Sequence, residues 1–150
     1  MKYIWHKKNN FISLNPIIQV YGVCFDASGD VLVMRTPGKS WNIPGGTPES
    51  DETPEATLKR ELEEEVDISI GHFGMIGYFE VISDKSTSYQ LRYAALVSAV
   101  NPQMIDPAIN VVNERKFIRL NEFFNYIKYD DYRPMLDDAV EWYEKNKNNI

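Results

Sequence analysis

The chain has 150 residues, 43% hydrophobic and 25% charged, which is enough apolar material for one cored domain (1–150) and too much for a disordered chain. Its 16 basic and 22 acidic residues leave a net charge of −6. That balance argues against binding to nucleic-acid polymers, which needs a basic stripe, but not against small anionic substrates held with a divalent cation.

One cysteine, Cys24, excludes an internal disulfide framework and a multi-cysteine zinc site, and suits a reducing, cytoplasmic setting. Lys2, Lys7 and Lys8 are not followed by the continuous apolar stretch of a signal peptide. No window approaches the ~18 apolar residues of a membrane span. A soluble protein with no membrane partner is expected.

Along the chain, Ile17–Phe25 reads as a strand, 26–30 as a turn, and Val31–Arg35 as a second strand of a hairpin. Pro37, Gly38, Pro44, Gly45 and Gly46 then break the chain around Trp41, Asn42 and Ile43. Thr53 suits a helix N-cap and Pro54 a first helical position, and good helix formers continue to Val66. Leu58, Leu62 and Val66 recur every fourth residue and predict a core-facing stripe. Further strands are expected over 75–82, 89–100 and 116–120, a short helix over 121–127 and an amphipathic one over 135–145. Helices interrupting strands give an α/β class with a mixed sheet. Residues 1–15 carry no motif; Tyr3, Ile4 and Trp5 suit either a homodimer contact or an extra edge strand.

On the first helix, Glu61, Glu64 and Glu65 fall within an arc of roughly 100°. Three carboxylates so placed repel one another unless solvent or a cation relieves them, and hard oxygen ligands suit Mg²⁺ or Mn²⁺. Taken alone, such a run is most often a solvated acidic face. Here a Gly-Gly turn stands just before the helix, Glu52 at its start and Arg60 beside the acids.

Residues 46–68 resemble the Nudix box: glycine, five residues, Glu, seven residues, then Arg-Glu-aliphatic-x-Glu-Glu-x-Gly-aliphatic. Gly46, Glu52, Arg60, Glu61, Leu62, Glu64, Glu65 and Ile68 stand at that spacing, after Trp41-Asn42-Ile43-Pro44-Gly45. One position departs: Asp67 replaces the second glycine, a mild change because Asp tolerates the left-handed conformation needed past a helix end.

The resemblance implies a Nudix-like α/β/α sandwich around a mixed sheet. It also implies cation-dependent (Mg²⁺ or Mn²⁺) hydrolysis of a small nucleoside diphosphate derivative, an ADP-ribose-like compound or a nucleoside triphosphate. The matching metal ligands are Glu61, Glu64 and Glu65 with the Gly45 carbonyl, and Arg60 with Glu52 braces the box. The general base is Glu64 or Glu114, which precedes the last strand; for Glu114 a plain surface position is at least as natural. Arg35, Trp41 and Arg92 are the candidate substrate contacts, with Trp41 equally suited to the core and Arg92 facing the opposite side of its strand from Tyr93. The competing reading is a non-hydrolytic nucleotide-binding or regulatory module. Such modules usually show eroded box acids, and here all are present.

Overall fold

The computed structural model describes residues 1–8 and 13–149. Among them, seven strands form one mixed sheet: β1 (Lys2–Lys7), β2 (Ile17–Phe25), β3 (Val31–Arg35), the two-residue β4 (Gly45–Gly46), β5 (Ile68–Ile82), β6 (Thr87–Val100) and β7 (Glu114–Ile118). Helix α1 (Pro54–Val66) lies between β4 and β5; a 3-10 turn (Leu120–Glu122), α2 (Phe123–Tyr126) and α3 (Tyr132–Asn146) follow β7. The strand order is β1-β5-β6-β2-β3-β7, with β4 added against β2. β2 and β6 run parallel, and the other pairs of these strands are antiparallel.

Strand alternation sends side chains to two separate cores. From β2, Val20 and Cys24 join Leu58, Leu62 and Val66 of α1, while Val23 and Phe25 join Phe123, Ile127, Met135 and Ala139 on the other face. The sheet is therefore covered on both sides, as an α/β/α sandwich. Burial pushes the Cys24 thiol up to about 12, so it is an inert core group. Among the described residues no helix is long and apolar enough to cross a membrane.

The N-terminal segment is an edge strand. β1 pairs with β5 along its length, and Trp5 packs on Phe79 and donates its indole N–H to Asp138 of α3 at 2.7 Å. β5 begins seven residues earlier than the pattern suggests, directly after α1. Gly71 and Gly74 and three register shifts interrupt its alternation, which hides a strand from a period-two reading. The expected helix over 121–127 is a 3-10 turn followed by one turn of α-helix.

Helix α1 is capped at both ends. Thr53 Oγ1 accepts the Ala56 N–H at 3.1 Å, and Asp67 closes the C-terminus in the left-handed region (φ 56°, ψ 42°), its N–H reaching the Glu63 carbonyl at 3.2 Å. Asp67 adds what glycine lacks: its Oδ2 accepts the Met104 N–H at 2.9 Å and so anchors the loop after β6. Asp67→Val is expected to cost ~1–2 kcal/mol in denaturant melts, because a β-branched residue resists that backbone. Asp67→Asn, which tolerates it, should cost under ~0.5 kcal/mol. Equal losses would place the cost in the missing carboxylate instead.

Candidate active site

The turn before α1 and the acidic face of α1 meet at one guanidinium. Arg60 Nε and Nη2 hold both oxygens of Glu52, at 2.7 and 2.9 Å. Nη2 also donates to the Thr47 carbonyl at 3.1 Å, and Nη1 donates to Glu61 at 2.8 Å and Glu64 at 3.2 Å. This fork geometry is one that a lysine cannot reproduce. Glu52 takes three further constraints from its own segment: the Thr57 hydroxyl at 2.7 Å, the Glu49 N–H at 3.0 Å, and a side chain left only 14% exposed. Hydrogen bonds from Arg60, Glu49 and Thr57 hold the Glu52 carboxyl down at about 2.

Glu65 is treated differently. Its Oε1 accepts one hydrogen bond, from the Gly45 N–H at 3.0 Å, and no cation pairs with it among the described residues. Burial, with added repulsion from Glu61 and Asp106, pushes its carboxyl up to about 8. Burial raises Glu61 as well, although Arg60 opposes the shift. Gly46 lies so close to Glu61 that a Cβ there would collide with the carboxylate. Gly45, at φ 155°, is equally confined by Val20 and Tyr21 of the paired strand β2. The two glycines thus let the turn press against the acids.

The donor set fits a hard divalent cation. Glu61, Glu64 and Glu65 supply oxygens, and partial burial of Glu61 and Glu65 carries a cost that a cation would relieve, with the Gly45 backbone alongside. As the side chains stand, Arg60 bridges Glu61 and Glu64, and no three acids among the described residues converge as a ready coordination cluster.

The other candidates fall elsewhere. Glu114 is matched in register with Arg35 across β3 and β7 and forms a two-pronged ion pair with it, at 2.7 and 3.2 Å. Arg35 also covers the Trp41 ring at 4.8 Å, and Trp41 meets Tyr126 edge-on. These three residues are therefore linked to one another and not to the acid cluster. Arg92 and Tyr93 do face opposite sides: Tyr93 packs in the α1 core and donates to Glu55, whereas Arg92 is 1% exposed on the α3 side.

Asp106 is not among the residues that the sequence pattern singles out. It is buried in the loop between β6 and β7, where its Oδ2 accepts from Asn113 Nδ2 at 3.1 Å, and Asn113 also donates to the Glu65 carbonyl at 2.9 Å. Its charge reaches both Glu61 and Glu65. It stands before Pro107, a turn signal with no spacing relation to the box.

Arg60→Ala leaves Glu52 and Glu61 without their shared cation and should lower the urea midpoint at neutral pH. The sign with pH follows from Glu52, whose folded value of about 2 lies below its ordinary 4.5. Its contribution is present above pH 4.5 and disappears as pH falls toward 2. The gap between wild type and variant in urea titrations should therefore narrow over that window. A gap constant with pH would sink the brace.

The NUDIX domain model matches residues 16–143 of the chain. The 8-oxo-dGTP diphosphatase of Proteus vulgaris is 43% identical over 54 residues, covering 33% of this chain and 48% of that protein. The chain thus matches about half the length of this curated relative. The Bacillus subtilis pyrophosphohydrolase BsRppH has a TM-score of 0.73 at 17% identity, over 93% of this chain and 90% of that one. The NUDIX domain of Shewanella oneidensis NrtR, solved with ADP ribose, has a TM-score of 0.65 at 21% identity, over 87% and 89%. At such identities these structures speak for the fold. With the box intact from Gly46 to Ile68 apart from Asp67, and the family model spanning most of its length, the chain belongs to the Nudix family.

Proposed function

We propose that the protein is a cation-dependent pyrophosphohydrolase that cleaves the diphosphate linkage of a small nucleotide, an ADP-ribose-like compound or a nucleoside triphosphate. The observation that carries this reading is the Arg60–Glu52 brace. It fixes the box acids in place and leaves Glu65 half-buried without a counter-cation. The 8-oxo-dGTP diphosphatase relative supports a nucleotide substrate. A bound Mg²⁺ or Mn²⁺ would supply charge neutralisation of the diphosphate and a more acidic water. Glu61, Glu64, Glu65 and the Gly45 carbonyl are the groups that would hold it.

In the reaction, a water oxygen bonds to one phosphorus, the bridging P–O bond breaks, and the leaving phosphate carries away the bridging oxygen. The water's proton needs an acceptor. Glu64 suits that role, because its side chain is 37% exposed and its contact with Arg60 is a long 3.2 Å. Glu114 is instead held by Arg35. Glu64→Gln should therefore lower kcat by about 10²–10⁴, while Glu114→Gln should change it by less than about tenfold. The reverse ranking would move the base to Glu114.

Glu65→Gln should abolish Mg²⁺-dependent phosphate release in a phosphatase-coupled assay across triphosphates, dinucleotides and ADP-ribose. In chelator it should have the opposite effect on stability. The Glu65 carboxyl, at about 8 against an ordinary 4.5, favours the folded state below pH 4.5 and loses that advantage as pH rises through 8. Glutamine has no charge to bury, so the variant's melting temperature should equal or exceed wild type at pH 8. A wild-type rate in the variant would remove Glu65 from the site.

A further inference from the structure

Arg92 is the one fully buried basic side chain among the described residues, and no carboxylate pairs with it there. Aromatic faces surround its guanidinium: Tyr21 at 4.8 Å, Phe79 at 5.2 Å and Tyr132 at 5.7 Å. Its Nη2 donates to Gln19 Oε1 at 2.9 Å and Gln90 Oε1 at 3.2 Å, its Nη1 to the Leu91 carbonyl at 3.2 Å, and its Nε has no acceptor among the described residues. Burying an arginine so costs stability, and it is a poor way to fill a core.

Arg92 lines a cleft of about 250 Å³ on the α3 face. The pattern of hydrogen bonds around it has a consistent sense. Gln19 and Gln90 spend their amide oxygens on Arg92, and Asn42 spends its own on the Tyr132 hydroxyl at 3.1 Å and the Ile43 N–H at 2.8 Å. Three carboxamides are left with their N–H groups to offer, beside a guanidinium that can only donate. The remaining walls are largely aromatic, and the exposed Asp131 is the one carboxylate among the described lining residues. Tyr21 links this cleft to the box: its ring stacks on Arg92, its backbone pairs with Gly45, and its hydroxyl feels the charges of Glu65 and Glu61.

We propose that this cleft selects the base of the nucleotide, and selects a keto base. Ring carbonyl oxygens accept from the carboxamide N–H groups that Arg92 orients, and Asp131 is the acceptor available to a ring N–H. An adenine- or cytosine-type exocyclic amine would set donor against donor. The inference rests on the hydrolase reading for its ligand class and deepens it by naming the base.

The test uses two pairs that differ only in this edge, IMP against AMP and UMP against CMP, with ribose 5-phosphate as the baseless control. Each is titrated calorimetrically into the full chain in chelator, so that binding is read without turnover. The keto member of at least one pair should bind about ten- to a hundredfold more tightly. That preference should vanish in Arg92→Met and shrink in Gln90→Leu, the second variant serving if the first does not fold. Equal affinities within both pairs, no binding by any of the four, ribose 5-phosphate binding as tightly as IMP, or a preference that survives in folded Arg92→Met would each overturn it. Turnover of ITP and ATP with Mg²⁺ separates the two proposals. Equal hydrolysis of both removes keto selection and leaves the hydrolase intact, whereas keto-selective binding with no turnover of either does the reverse.

Discussion

The site depends on a single guanidinium placed among like charges. Glu61, Glu64 and Glu65 share one face of α1, an arrangement that repels itself. Arg60 offsets part of that repulsion and, through its fork on Glu52, ties the helix to the turn that precedes it. Because Glu52 also holds the Glu49 N–H and the Thr57 hydroxyl, the brace fixes loop and helix as one unit. What Arg60 does not neutralise matters equally. Among the described residues Glu65 receives only the Gly45 N–H and no cation, so an acid is held in place without a counter-charge.

The sheet sets this local brace against the Arg92 cleft. Its two faces differ: α1 and the acids lie on one, and Arg92 with its aromatic surround on the other. β4 joins them. By pairing with Val20 and Tyr21, it brings the Gly-Gly turn against both the Glu61 carboxylate and the residue whose ring covers Arg92. In the proposed reading, phosphate chemistry and base recognition are built from opposite sides of β2 and meet at its middle.

Helix α1 was legible in the sequence because independent signals agreed there: a Thr-Pro start, a four-residue apolar period and the box spacing. The alternation of Arg92 with Tyr93 was legible too, since it needs only the strand period. The burial of Arg92 was not. Arginine is rarely enclosed, and what encloses this one comes from β2, β5 and the start of α3. Glu114 shows the same limit from the other side. Its position before a strand follows from the local pattern, but its partner Arg35 is fixed by the β3–β7 register, a contact across 79 residues. Asp106 sits in a loop with no period at all.

The departure from the family pattern at Asp67 bears on that loop. A glycine would end α1 with the same left-handed turn, but it would leave the Met104 N–H without this acceptor. Residues 101–113 are fastened to the end of α1 at several points, one of them the Asp67 side chain. Asn101 donates to the Asp67 carbonyl at 3.0 Å, Met104 to its carboxylate, and Asn113 to the Glu65 carbonyl. Arg115, just inside β7, donates to the Val66 carbonyl at 2.8 Å. The loop so held is the one that carries Asp106 within electrostatic reach of Glu61 and Glu65. Asp67 is tolerated locally because aspartate accepts the backbone, and through the loop it helps set the electrostatic surroundings of the acids that would hold the cation.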